Sequence, residues 1–291
     1  MKKTYLINGL LLLIIVGLYW FVNRPDTVET NAPKLSSLAF NAVHNIQIQR
    51  NEKNTISLIK QGDSWQIDHP IQAKANDVKV KLLLSVLNST IYSQTKITEF
   101  IDLSQFNLEP PAFSLYLNDQ RFDLGDIESL TKHRYLRYGN TVYLVDDTIA
   151  PLLNSSINSF IENRLIAENQ QISKLHIPLI HDNKPTNSSQ LIEQIDSHWQ
   201  AVDFSADQLT ELVASWQQAY ALQVMPLNIE QLEQNQPQYK ATLWFEGDHI
   251  ARHYLITSNQ HSLFIYDLSR QLNYQFPLGM LPALLLSKPE S

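Results

Sequence analysis

The stretch TISLIKQGDSWQIDHPIQAKANDVKVKLLLSVL, residues 55–87, reads as strand, turn, strand and helix. Residues 55–60 and 64–67 are short apolar-rich runs of strand type. Gly62 and Asp63 between them form a two-residue hairpin turn. Asn76 and Asp77 then mark a helix start, with Val80, Leu83, Leu84 and Leu87 following at helical spacing, so that one helix face packs on the sheet.

The same order returns further along. Residues 172–180 and 190–202 read as strands around a polar loop, and Trp199 in Ser197-His-Trp-Gln200 stands where Trp65 stands in Asp63-Ser-Trp-Gln66. Ser205 begins a helix, Gln208 is placed to complete a capping box, and Leu209, Leu212, Val213, Trp216 and Tyr220 share one face. Two copies indicate a duplicated domain rather than a solenoid, which needs more repeats.

Outward from the first stretch, Ile46 and Ile48 alternate with Gln47 and Gln49. Beyond a polar connection with Pro110 and Pro111, strands are predicted at 112–117, 120–124, 134–138 and 141–145, with a tight turn at Gly139-Asn140 and a short closing helix over 149–160. The second half continues with strands at 241–245, 252–257, 262–266 and 271–276, and a closing segment at 280–286. The expected fold is α+β: two tandem related units, 43–168 and 169–291, each an antiparallel sheet with one packed helix and a short closing helix.

Ahead of them, Lys2 and Lys3 precede an apolar run that begins at Tyr5 and ends at Val22. At about 1.5 Å per helical residue the run spans roughly 27 Å, close to the hydrocarbon thickness of a bilayer. Its Leu, Ile, Val and Phe residues favour insertion by roughly 5 kcal/mol, and Tyr19 and Trp20 suit the far interface. Lys2, Lys3 and the amino terminus outweigh Arg24 beside Asp26, so the expected topology is a single pass through the inner membrane with the body outside the cytoplasm. Residues 20–23 offer no small-x-small cleavage site, and the nearest approach, Thr30-Asn-Ala32, is followed by Pro33. Residues 1–24 are therefore expected to be a retained anchor, and 25–42, polar and carrying Pro25 and Pro33, a flexible tether.

A net charge of −7, with no cluster of Lys or Arg after residue 24, argues against a nucleic-acid surface. With 44% apolar and 18% charged residues the body is globular. The absence of cysteine excludes disulfides, thiol nucleophiles and thiolate metal ligands.

The first unit resembles bacterial domain-of-unknown-function family 4340 over about residues 60–168. The resemblance rests on Asn76-Asp-Val78, Ile101-Asp-Leu103 through Pro110-Pro111, Leu124-Gly-Asp126, Tyr135-Leu-Arg-Tyr-Gly-Asn-Thr-Val-Tyr-Leu-Val145 and Ile161-Glu-Asn-Arg-Leu165. The family's usual Tyr-Gly-Leu before the prolines is Phe106-Asn-Leu108 here. The resemblance implies an envelope protein with one amino-terminal helix, among relatives that include auxiliaries of gliding-type ABC transport systems. It carries over no catalytic residue.

Four of the seven glycines, Gly62, Gly125, Gly139 and Gly247, precede Asp or Asn, which is turn usage. No phosphate-cradling glycine loop and no Gly-x-Ser-x-Gly elbow occurs, so neither a nucleotide nor a serine-elbow hydrolase is expected. Among nine histidines, His249, His253 and His261 are positioned to approach one another on adjacent strands, although a polar strand face is the simpler reading. Asp146 and Asp147 point to opposite faces of a strand and do not suit an acid and base pair, and the acids around Glu128 suit a solvated surface. Trp65, Trp199, Trp216 and Trp244 favour core packing over sugar stacking. Residues 276–286 are too short and too proline-rich to span a membrane. No catalytic, cofactor or metal residue is assigned. The expected function is a non-enzymatic anchored accessory or scaffold that binds other envelope or transporter proteins, the alternative being an anchored envelope-glycan binding module or enzyme.

Overall fold

The computed structural model describes residues 34–287 except 51–52, 182–183, 236, 238 and 249. The expected anchor lies outside the described residues, and among them no helix is long and apolar enough to cross a membrane. The fold is α+β, dominated by two antiparallel sheets.

The first sheet is built from β1 (Asn45–Arg50), β2 (Lys53–Gln61), β3 (Ser64–His69), β4 (Ala73–Lys74), β5 (Ile91–Lys96), β6 (Phe113–Leu117), β7 (Gln120–Ile127), β8 (Arg134–Tyr138) and β9 (Thr141–Val145). Their order is β4-β3-β2-β1-β6-β7-β8-β9-β5. The second contains β10 (Ile172–His181), β11 (Lys184–Ile195), β12 (His198–Gln200), β13 (Gln223–Pro226), β14 (Tyr239–Phe245), β15 (Arg252–Ser258), β16 (Ser262–Asp267) and β17 (Leu272–Pro277), in the order β12-β11-β10-β14-β15-β16-β17-β13. Setting β10–β12 against β1–β3, β13 against β5 and β14–β17 against β6–β9 makes the two orders identical, except that β4 has no counterpart. A final strand, β18 (Leu286–Ser287), runs parallel to β10. The duplication read from Trp65 and Trp199 is thus a duplication of topology.

Period-two burial fixes the registers, since a one-residue slip would turn each buried side chain outward. Ile46 and Ile48 on β1 are buried against Ile56 and Leu58 of β2 and Leu115 and Leu117 of β6. Gly62 adopts a φ of +59° at the first turn position, which a two-residue hairpin of type II′ requires. The equivalent turn in the second half, Asp196-Ser197, has positive φ at both residues and is of type I′. At Gly125 on β7 the reason is proximity: a Cβ there would lie 2.1 Å from the Phe106 carbonyl oxygen.

Helix α1 (Asp77–Leu84) begins at Asn76, whose Oδ1 accepts from the Lys79 amide at 3.1 Å, and it buries Val80, Leu83 and Leu84. Its short partner, α2 (Ala150–Asn154), ends at Ser155 and is followed by a 3-10 turn at Ile157–Phe160. Helix α3 (Ala206–Gln217) carries the expected Ser205–Gln208 capping box and buries Leu209, Leu212, Val213 and Trp216. Helix α4 (Ile229–Asn235) follows β13, and α5 (Leu281–Leu284) precedes β18. Apolar residues of both halves form one cluster, running from Leu35 through Trp65 and Phe160 to Trp216, Phe276 and Leu286.

Several elements differ from their sequence reading. The polar segment expected as a loop after 180 is largely β11, whose hairpin with β12 divides the predicted run 190–202. Helix α3 stops at Gln217, so Tyr220 leaves the helix face and pairs in extended form with Arg164. The stretch read as tether docks at its end: Leu35 is buried in the core, and Ser36 donates a hydrogen bond to Gln120.

One loop has a specific pH signature. The Glu128 carboxylate accepts from the Thr131 hydroxyl (2.7 Å) and from the Thr131 and Leu130 amides (2.7 and 3.0 Å), bonds that pull its pKa down to about 2 from 4.5. A folded-state value below the free one means that the loop's carboxylate bonds are fully present above 4.5 and are lost as pH falls towards about 2. Hydrogen exchange corrected for intrinsic rates should show protection at Leu130 and Thr131 falling across that window. Equal protection at pH 6 and pH 2 would contradict the assignment.

Candidate functional site

The two sheets are stitched by the extended segment 161–166, the same Ile161-Glu-Asn-Arg-Leu165 that carries part of the family resemblance. On one side Ile161 bridges Ala75, the Glu162 amide donates to Lys74 O (2.9 Å) and the Asn76 amide donates to Phe160 O (2.7 Å). On the other side the Leu165 amide donates to Ala219 O (3.0 Å), the Ala221 amide donates to Asn163 O (2.9 Å), and Arg164 bridges Tyr220. Ile161, Leu165 and Ile166 are buried, which holds this backbone in place without a helix. The Asn163 side chain joins the halves as well: its Oδ1 accepts from Asn76 Nδ2 at 3.3 Å and its Nδ2 donates to Ala221 O at 2.9 Å. Asn76 therefore both caps α1 and ties it to the seam.

Extended backbone sends successive side chains to opposite sides. Glu162 and Arg164 line a cleft of about 570 Å³ on one side of the seam, whereas Asn163 lines a groove of about 680 Å³ on the other.

The cleft is cationic in an acidic protein. Its wall brings together Lys74 from β4, Arg164 from the seam, Arg252 from β15 and Arg270 from the β16–β17 hairpin, with Glu162 the one carboxylate among the described lining residues. Arg270 is the best fixed of the four. Its Nη1 donates to Leu165 O (3.1 Å) and Tyr274 Oη (3.2 Å), and its Nε lies 3.3 Å from Asp267 Oδ2. Burial on its own would lower the Arg270 pKa, but Tyr274, Tyr254 and Asp267 outweigh it and hold the guanidinium above its ordinary value. Asp267 is fully buried, and its Oδ1 accepts from Ser269 N, Ser269 Oγ and Arg270 N, which shapes the hairpin tip. The Tyr254 hydroxyl is buried without a hydrogen-bond partner among the described residues, and burial followed by the Asp267 charge raises its pKa strongly.

The groove carries a single charged side chain among its described lining residues, Lys79, and is partly apolar. Val78, Tyr220 and Leu222 stand 68%, 53% and 66% exposed along it, beside Asn76, Asn158, Asn163 and Gln223.

The residues weighed from sequence are distributed elsewhere. His253 is the second residue of β15, with Nδ1 3.1 Å from Thr242 Oγ1, whereas His261 precedes β16 at the opposite end of the same hairpin. In that register about seven residues at roughly 3.4 Å each separate them along the hairpin, so the expected approach of these two does not occur. His249 lies outside the described residues. Asp147 pairs with Arg134 through two bonds (2.5 and 2.9 Å), while Asp146 accepts from Tyr92 Oη at 3.0 Å, in keeping with their opposite directions. Trp65 and Trp216 are core residues and Trp199 packs on the core. Trp244 departs from that expectation, half-buried with the Lys174 ammonium 5.3 Å from its ring centroid. Among the described residues no group of three or more His, Asp or Glu is placed to hold a metal. Neither the cleft nor the groove is legible from residue spacing, because each is assembled from segments far apart in sequence. The one local signal was the Ile161–Leu165 motif, whose two apolar residues four apart suit a helix or a strand face equally.

A model of a domain of unknown function, DUF4340, matches residues 65–237, further than the motif resemblance reaches and across the seam. No curated protein and no solved structure matches.

Proposed function

The chain belongs to the DUF4340 family, and from that premise we propose that it is a membrane-anchored extracytoplasmic accessory, a non-enzymatic body that docks another envelope or transporter protein through the partly apolar groove beside its seam. The observation that carries this reading is the exposure of Val78, Tyr220 and Leu222 together along one groove. Exposed apolar side chains clustered among polar neighbours are typical of protein contact sites. Asn76, Asn158, Ser159, Asn163 and Gln223 offer uncharged donors and acceptors, and Lys79 is the one charged group among the described lining residues. Such a lining suits an extended, uncharged peptide segment, whose backbone would use the amides and whose side chains would cover Val78 and Leu222. The apolar run from Tyr5 to Val22 supports placing that partner at a membrane.

The test is a photo-crosslinking amino acid at Leu222 of the full-length chain in its native membrane. The expected result is one discrete adduct, identified by mass spectrometry as an envelope or transporter protein and lost in Val78→Asp. The exposed loop residue Leu130 serves as control position. Absence of an adduct at Leu222, or the same adduct from Leu130, would overturn the reading.

A further inference from the structure

We propose that the cationic cleft on the opposite side of the seam binds an acidic saccharide, a sugar-sized ligand bearing one phosphate or carboxylate group. The inference is independent of the protein-docking groove. The chain carries a net charge of −7, yet Lys74, Arg164, Arg252 and Arg270 converge on one cleft whose described lining contains a single carboxylate, Glu162. Convergence of like charge against the overall sign creates a local potential that draws an anion in.

The cations are available to a ligand to different degrees. The Lys74 ammonium has no partner among the described residues. Arg164 pairs with Glu168 at 2.8 Å and Arg252 with Asp248 at 3.4 Å, and both acids are substantially exposed, 74% and 47%. Exposed pairs of this kind contribute at most about 1 kcal/mol, so a ligand oxyanion can take the place of either acid. Neither acid lines the cleft. Arg270 is the converse case: Asp267, Leu165 O and Tyr274 hold it from behind through Nε and Nη1, which leaves Nη2 without a protein partner among the described residues. A guanidinium fixed in this way is preorganised for an oxyanion and gives up little side-chain freedom on binding.

The rest of the wall argues for a sugar rather than a bare ion. Gln66, Gln72 and Gln271 bring amide groups to the same surface, complementary to sugar hydroxyls, and the volume of about 570 Å³ is within the range of small-molecule sites and well beyond what a free anion fills.

The test is calorimetric titration of the purified full-length chain in detergent, at low salt, with glucose 6-phosphate, glucuronate, glucose and inorganic phosphate. At least one of the two acidic sugars should bind one-to-one with a Kd below about 1 mM, glucose at least about tenfold more weakly. The phosphate and carboxylate arms identify which oxyanion the site prefers. The double variant K74Q/R164Q alters two side chains that reach solvent, and it should melt as the wild type does and lose about tenfold or more in affinity. Four results would each overturn the proposal: no saturation by either acidic sugar, equal binding of glucose, inorganic phosphate binding as tightly as glucose 6-phosphate, or unchanged affinity in K74Q/R164Q. Crosslinking from Leu222 should be unaffected by K74Q/R164Q, so failure of this site is distinguishable from failure of the docking groove.

Discussion

Arg270→Met should destabilise the body by about 3–5 kcal/mol, because it leaves the fully buried Asp267 without its cation. Methionine replaces most of the aliphatic length of arginine, so little of the cost is lost packing. The substitution also frees Leu165 O, an acceptor on the seam, and removes the bond that ties the hairpin tip to that segment. At roughly 2–4 °C per kcal/mol for a body of this size, the melting temperature should fall by about 10 °C. The second arm of the experiment separates the two causes. Asp267→Asn keeps the Oδ1 acceptor used by Ser269 and the Arg270 amide while removing the charge. The double variant D267N/R270M should therefore recover about half of the loss, the remainder reporting the seam contact. A cost below about 1 kcal/mol for Arg270→Met in urea unfolding would show that solvent already screens Asp267, and the account of a preorganised Arg270 would fall with it.

The ease of reading this chain tracks how each element is buried. Strands packed on one face announce themselves by alternation: Ile46 and Ile48, or Trp65 and Ile67, are buried while their neighbours are less so. Caps are just as local, since Asn76 and Ser205 act within three residues of themselves. Strand β5 has no such signal. It lies at the edge of the first sheet with five of its six residues exposed, so no apolar period marks it, and it is held to β9 mainly by the backbone ladder. Strand β13 is a four-residue edge containing Pro226, and β11, polar over much of its length, takes its register from its pairing with β10 and β12. The sites are harder still. Lys74 and Arg270 are nearly two hundred residues apart, and what ties them to one wall is a stitch made of the backbone bond from the Glu162 amide to Lys74 O together with the Arg270 side-chain bond to Leu165 O. Backbone pairing carries no side-chain signature, so the composition of neither cleft nor groove is visible in any window of the chain.

That stitch raises the question of whether the duplicated halves fold separately, and Trp216 answers it most directly. Its ring is fully buried on α3, 5.8 Å between centroids from Tyr254, and its Nε1 donates to Leu284 O at 2.8 Å, which holds α5 against α3. Trp216→Ala should cost about 3–5 kcal/mol through the cavity left behind. Trp216→Phe retains most of the apolar contact but leaves Leu284 O without its donor, and should cost about 1–3 kcal/mol. The distribution of the loss carries more information than its size. Residues of both halves belong to one apolar cluster, and the seam segment buries Ile161, Leu165 and Ile166 between hydrogen bonds to either side. A continuous core transmits a loss of packing to every element that must open with it, so β1–β9 should lose hydrogen-exchange protection in Trp216→Ala to the same extent as β10–β17. Loss confined to β10–β17, with the first sheet keeping its wild-type protection, would establish two independent folding units. The cleft and the groove would then lie on a hinge rather than on a rigid seam, and both proposed binding sites would have to be assembled by the ligand instead of waiting for it.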